Sequence, residues 1–395
     1  MAKRKANTVN AHLTALDHFF AHRGIRKLQP SKARLSLIEA GRRGAMTDNT
    51  AATEGLMNER GRLMQLVFGT MAAQTLRAAV ELKIVEVIGE EERTAEEVAR
   101  DCGTQPVTTL RLLRALAGLG LLSETGTGAF TVAPAGLLLD ERRSDSLASL
   151  IWTFSDPFMT RAWEHLADSV RTGQTSFDKV FGAGFFTHLG RRPDLSARFN
   201  AAMSQGSRAT ADALPAHYDF GRFSTVVDVG GGDGTVLAAI LKAYPALHGV
   251  LYDTAEGMAQ AAGTFERAAV TDRAEQVAGD FFVSVPPGGD LYLLKSVIHD
   301  WNDEQCAGIL RRCAERLPAH GRVLIIEPLL PPQAGQVKGG LAYLSDLNML
   351  VNVGGRERTP EEFENLCHLA GLSTPVITTL PQPHAFAMIE AAAKG

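Results

Sequence analysis

Hydrophobic positions recur along this chain with two periods, and the change from one to the other divides it. From Arg62, the run LMQLVFGTMAAQTLRAAVELKIVEVI sets Leu63, Leu66, Val67, Met71, Leu76, Val80 and Leu82 mostly three or four residues apart, the spacing of a helix, and its apolar character predicts burial. TAEEVARDCG follows, in which Thr94 caps with Glu97 and Gly103 stops the helix. Pro106 opens a second helix, PVTTLRLLRALAGLGLL, and ETGTGAFTVAPAG reads as a short hairpin. Helix, turn, helix, hairpin is the outline of a winged helix.

Residues 151–215 keep helical spacing but are crowded with aromatics, among them Trp152, Phe158, Trp163 and Phe199. For any one of these, core packing is the ordinary explanation. Together, ahead of a glycine cluster, they suggest the wall of a pocket for a flat apolar ligand.

At residue 225 the pattern changes. TVVDVGGGDGTVLAAIL is a β-branched run, a glycine cluster and a helix, the opening of a doubly wound α/β domain. Its glycines stand at 230, 231, 232 and 234, so the dinucleotide fingerprint G-x-G-x-x-G fails at Thr235, and no Gly-Lys-Ser/Thr follows. Asp228 ends the strand and Asp233 sits in the turn; together they repel a pyrophosphate and attract a ligand bearing an ammonium and a sulfonium. Asp253 ends the next strand, HGVLYD, about where an acid meets ribose hydroxyls. GDFF closes a third and puts Asp280 and Phe281 where an adenine would meet a polar partner and an apolar face.

A fourth strand, LYLLK, runs into SVIHDW before Asn302 caps a helix whose apolar face is Cys306, Ile309, Leu310, Cys313 and Leu317. His299 therefore lies at a strand's carboxyl end. RVLIIE, the next strand, ends in Glu327, and parallel strands present their carboxyl ends to one ligand crevice. A histidine of ordinary pKa near 6.5 is suited to taking a proton from a phenol of pKa near 10 at neutral pH.

In this order DVGGGDG, LYD, GDFF, LLKSVIHDW, IIEPLLP and GGRERT resemble the S-adenosylmethionine-dependent O-methyltransferases of the plant caffeic acid type and their bacterial relatives that tailor aromatic polyketides, phenazines and anthracyclines. The resemblance spans about residues 60–392 and implies an α/β, Rossmann-like methyltransferase domain preceded by a mostly helical, winged-helix-like dimerisation domain. It implies S-adenosyl-L-methionine contacts at Gly230, Asp253, Asp280, Phe281 and Lys295, with Trp301 beside the adenine and Ser207 near the methionyl carboxylate. It implies His299 as general base flanked by Glu327 and Glu357. Here Glu327 is expected to orient the ring and Glu357 to act as a second positioning acid, with no metal required. Asn352, Phe199 and Met203 match acceptor-pocket residues. Asp300 is counted with them, although it could equally be a turn residue. FSDPFM and Val353 depart from the plant pattern, so the phenylpropanoid pocket does not carry over.

Composition narrows the setting. The 395 residues are 45% hydrophobic and 21% charged, enough for two to three domains. No run approaches membrane length and the N-terminus lacks a signal peptide's apolar core, which points to a cytoplasmic protein. The four cysteines contain no C-x-x-C pair and read as buried thiols. Residues 1–45 carry +8 and the remainder −12. That acidic body argues against nucleic acid, as does a second winged-helix helix with only Arg111 and Arg114 among its leucines. Those leucines suit a homodimer contact.

The expected divisions are a basic, disordered leader at 1–55, with Met46 as a candidate native start, the winged-helix-like domain at 56–150, a helical pocket region at 151–215 and the methyltransferase domain at 216–395. The alternatives are a non-methylating relative that uses the same cofactor for hydroxylation or decarboxylation, an N- or C-methyltransferase, and a DNA-binding regulator.

Overall fold

The computed structural model describes residues 58–334, 340–381 and 386–394. The basic leader and Met46 lie outside them. The chain divides into a short unit ending at Gly69 and a large one beginning at Thr70. In the first, residues 58–67 are helical, and Leu63, Leu66 and Val67 are more than 60% exposed. In the second, the helix Gly69–Glu81 exposes Met71 and buries only Ala79 and Val80. In this helix the full burial that the apolar pattern predicts thus starts at Ala79, with Leu76 half-buried against the core, and each unit by itself leaves apolar side chains exposed, of the kind a subunit contact covers.

The winged-helix outline is present. α1 (Ala95–Cys102) opens on a complete capping box between Thr94 and Glu97 and stops at Gly103 in the left-handed region. Such a cap stabilises a helix by roughly 1 kcal/mol. α2 (Pro106–Gly118) leads into the hairpin of β1 (Leu122–Glu124) and β2 (Phe130–Val132), and Val98, Leu113, Leu116 and Phe130 close a core with Ile84 and Ile88. On α2, Arg114 is paired with Glu124 of β1 at 2.8 Å.

Between this core and the sheet lie α3 (Ala148–Ser155) and the long α4 (Pro193–His217). The segment they bracket folds on a separate apolar cluster containing Phe158, Met159, Phe177 and Phe185, which also takes in Val351 from far along the chain.

Among the described residues the large sheet has seven strands, in the order β5-β4-β3-β6-β7-β9-β8. β3 (Thr225–Val229), β4 (His248–Asp253), β5 (Ala274–Ala278), β6 (Leu291–Lys295) and β7 (Arg322–Pro328) are parallel, while β8 (Val376–Thr379) and β9 (Phe386–Ala391) are antiparallel additions at one edge. Apolar cores cover both faces, which is why these strands read as continuous apolar runs. α5 (Thr235–Ala243) covers one face and α6 (Asp303–Ala314) the other, with α7 (Leu341–Asn352) and α8 (Pro360–Leu369) completing the domain. This is a Rossmann-like fold. Strand order reverses between β3 and β6, so the ligand crevice lies at their carboxyl ends, where Asp228, Asp253, Lys295 and Glu327 stand. Cys306, Cys313 and Cys367 are buried thiols, and Cys102 is half-buried.

Candidate active site

The chain leaves β6 through Ser296, whose φ of +54° is unusual for a residue with a side chain. That reversal exposes three consecutive backbone N–H groups, and one carboxylate oxygen takes them all. Glu327 Oε1 accepts from Val297 at 2.9 Å, Ile298 at 2.8 Å and His299 at 3.3 Å, with the Glu327 side chain wholly buried. Arg358 holds the same turn from the other side, donating to the carbonyls of Ile298 and Trp301 at 2.9 Å each and to Asp303 Oδ1 at 2.8 Å. Gly355 closes the third side, for a Cβ there would lie 2.1 Å from the His299 carbonyl oxygen.

Held in this way, the imidazole meets three acids. Its Nδ1–H donates to Glu357 Oε1 at 3.1 Å; Glu327 Oε2 lies 3.5 Å from the same nitrogen, and Asp300 Oδ1 is 3.7 Å from Nε2. Glu357 is itself fixed by the Ser345 hydroxyl at 2.8 Å and by its own N–H donating to Asp346 at 2.9 Å. The two glutamates therefore divide the work differently from the sequence reading. Glu357 makes the ring's hydrogen bond, while Glu327 chiefly holds the backbone beneath it. Ligand atoms of His299, Glu327 and Glu357 lie within 4.8 Å of one another, close enough to share a cation, although Glu327 Oε1 is already saturated by backbone donors.

Burial alone would lower the proton affinity of His299, but Glu327, Asp300 and Glu357 together outweigh it and raise the imidazole to about 10. Burial pushes Asp300 up to about 7 and raises Glu327 as well.

The glycine turn lies beside this cluster. Gly230 has φ +72°, and a Cβ on it would come within 2.7 Å of Val297, so the turn needs glycine both for its conformation and for its closeness to the histidine loop. Asp253 Oδ2 accepts from Gly232 N–H at 2.9 Å, which ties the turn to β4. Asp228 is buried with Oδ2 unpartnered among the described residues, and burial, reinforced by Asp253, raises it to about 7. Lys295 donates to Ser207 on α4 at 2.7 Å and lies 4.6 Å from the Phe386 ring centre; burial lowers it to about 8. Trp301 stands among Phe281, Phe282 and Phe186 at centroid distances of 6.0, 4.7 and 5.4 Å, and its buried indole N–H has no acceptor among the described residues. Asp280 caps the adjoining turn through Phe282 N–H at 2.8 Å. An orphaned carboxylate oxygen, an orphaned indole N–H, a lysine and an aromatic slot around one turn fit S-adenosylmethionine, which offers cationic, anionic and planar parts.

On the acceptor side the placements diverge. Trp163 donates to Asn348 at 3.1 Å, and Asn348 accepts from Asn352 at 2.8 Å, so those three form one polar chain. Phe199 packs on Phe185, and Met203 is half-buried on the same helix. Phe158 is buried among Phe177, Phe181, Phe185 and His188, so its ring belongs to the core. Trp152 lies at the cluster's edge with its ring between the guanidiniums of Arg77 and Arg198, at 4.4 and 4.3 Å, and faces a surface pocket lined by Glu81, Lys83 and Glu141. Its cationic partners set it apart from the apolar wall expected of it.

The sequence reading missed Ser345, Asp346, Gly355, Arg358 and Phe386. Of these, Gly355 and Arg358 were visible in GGRERT, but nothing in a linear pattern shows that this segment lies under the histidine turn.

Comparison with known proteins shows the family. The O-methyltransferase domain family matches residues 163–373 and the O-methyltransferase dimerisation domain matches residues 64–139. The chain belongs to this O-methyltransferase family and is an S-adenosylmethionine-dependent enzyme of the aromatic secondary-metabolite type. It is 44% identical to O-demethylpuromycin-O-methyltransferase of Streptomyces alboniger over 89% of this chain and 94% of that protein. It is 36% identical to the phenazine O-methyltransferase PhzM of Lysobacter antibioticus over 88% and 99%. Among solved structures, the mitomycin 7-O-methyltransferase MmcR superposes with a TM-score of 0.78 at 34% identity, covering 88% of this chain and all of that one. Human N-acetylserotonin methyltransferase in complex with SAM gives 0.78 at 26%, covering 85% and 98%. Among the described residues no helix is long and apolar enough to cross a membrane.

Proposed function

We propose that the enzyme methylates a phenolic hydroxyl of a small aromatic acceptor, with His299 as general base. The observation that carries this reading is the hydrogen bond from His299 Nδ1–H to Glu357, which leaves Nε2 as the nitrogen that takes a proton. Asp253 would hold the ribose of the cofactor, Asp280, Phe281 and Trp301 its adenine, and Lys295, Ser207 and Asp228 its amino-acid end near Gly230. When bound, S-adenosylmethionine supplies an electrophilic methyl group on a cationic sulfur.

The chain's own residues do the rest. Nε2 accepts the hydroxyl proton as the phenolic oxygen attacks, and Glu357 fixes the tautomer and stabilises the imidazolium that forms. Glu327 and Arg358 keep the loop from shifting, so the base remains within reach of the hydroxyl. A ring raised to about 10 is protonated at rest at neutral pH and must first release that proton. A cation entering beside Asp228 and His299 favours the neutral ring.

The working unit in this reading is a homodimer formed through exposed apolar residues of the N-terminal domain, with residues 151–215 contributing the acceptor pocket. Incubation with S-adenosylmethionine and a panel of simple phenols, read by mass spectrometry, should give S-adenosylhomocysteine and a methyl-sized gain in the acceptor. His299→Ala should lower turnover at least about a hundredfold with little change in cofactor affinity. Full turnover by that variant on a phenol of ordinary pKa would refute the base.

A further inference from the structure

Resting on that reading, we infer that Ser345 is a positioning residue of the reaction: its hydroxyl limits how tightly Glu357 holds the protonated ring of His299, and so lowers the pH at which His299 is free to act as base.

A carboxylate only accepts hydrogen bonds, so at 2.8 Å the Ser345 hydroxyl is the donor to Glu357 Oε1. The His299 ring donates to that same oxygen from Nδ1 at 3.1 Å. Two donors thus converge on one oxygen, while Glu357 Oε2 is buried with no hydrogen-bond partner among the described residues. Glu357 is 3% exposed, so bulk water takes little of its charge. Each donor stabilises that charge and leaves less of it for the other. A ring held too strongly keeps its proton and cannot take one from a phenol, whereas a ring without a partner loses its tautomer. The Ser345 hydroxyl sets the balance between the two.

Other charged groups surround the ring. Glu327 faces it from β7 and Asp300 from its own turn, and Lys295 at the end of β6 acts on both acids. Asp346, beside Ser345 on α7, takes the Glu357 N–H, and Arg358 holds the carbonyls of the turn. Among the described residues the Ser345 hydroxyl bonds none of these and reaches the ring only through Glu357.

The test is the pH profile of kcat/KM for a phenol at saturating S-adenosylmethionine. Ionisation of the phenol is common to every enzyme form and cancels in the comparison. In Ser345→Ala the ascending limb should move to higher pH by about half a unit to one unit, opposite to the direction expected of Glu357→Gln. At neutral pH kcat/KM should fall about threefold to tenfold and recover above the limb. Ser345→Thr, which keeps the hydroxyl, should restore the profile. In the Glu357→Gln background the same Ser345→Ala change should shift nothing, because no charge remains opposite the ring. Alanine favours a helix more than serine does, so α7 tolerates the change, and calorimetry with S-adenosylhomocysteine verifies that each variant is folded.

An unmoved limb, a move to lower pH, a loss that persists above the limb, or a shift undiminished in Glu357→Gln would overturn this inference while leaving His299 as base. Full turnover by His299→Ala would overturn the parent reading and this inference with it.

Discussion

His299 Nδ1 lies 3.1 Å from Glu357 Oε1 but 3.5 Å from Glu327 Oε2, and the other oxygen of Glu327 accepts three backbone N–H groups. The two acids of one site thus act on different objects, one on the imidazole and one on the loop that carries it. Their substitutions should fail in different ways.

Glu357→Gln keeps the shape of the site and removes the charge opposite the ring. Turnover should fall at least about tenfold, and the ascending limb of the kcat/KM profile should move to lower pH, because one of the acids that raise His299 is gone. Glu327→Ala instead strands the backbone donors of Val297, Ile298 and His299 in the interior. Its cost should appear as stability, roughly 3–5 kcal/mol in denaturant unfolding. Equal thermal stability of the two variants would contradict this division.

Gly355→Ala puts a methyl group where the His299 carbonyl oxygen now lies, 2.1 Å from the ideal Cβ. The loop must move, and a base displaced by about an ångström costs on the order of a hundredfold in rate. Trp301 moves with the loop, so cofactor affinity should weaken as well, unlike in His299→Ala. Normal kinetics would show that the turn yields without consequence.

Stability should depend on pH in a specific window. His299 is raised to about 10 when folded, against about 6.5 when unfolded, so its contribution is complete below about pH 6.5 and is lost as the pH climbs through 10. Lys295, lowered to about 8, acts in the opposite direction over part of that range, so the difference between the protein and His299→Gln isolates the histidine. Melting temperatures between pH 7 and 10 should fall more steeply for the unmodified protein than for the variant.

Cofactor binding should also release a proton. The ring is protonated when the site is empty of cations and favours neutrality beside one. Calorimetry in buffers of differing ionisation enthalpy should detect protons released at neutral pH by S-adenosylmethionine, up to about one per site. S-adenosylhomocysteine, whose sulfur is neutral, should release fewer, and His299→Ala should abolish the difference. Equal release by both ligands would place the titrating group elsewhere.

Much of this architecture is local and therefore readable in the chain itself. The capping boxes at Thr94 and Asn302, the glycine turn after Asp228 and the acids at successive strand ends depend on neighbours a few residues away. Periodicity and spacing report such features directly. Burial of Leu63, Leu66, Val67 and Met71 was misjudged because an apolar stripe does not reveal whether its own chain or another subunit covers it. Only the tertiary structure decided which acid the histidine touches, because Glu327 and Glu357 reach it from segments 28 and 58 residues away. It alone brought Arg358 and Gly355 under the turn and set Ser345 and His299 on the same oxygen of Glu357. Hydrogen-bond direction and close approach depend on distances that the fold creates, and residue type carries neither until the chain has folded.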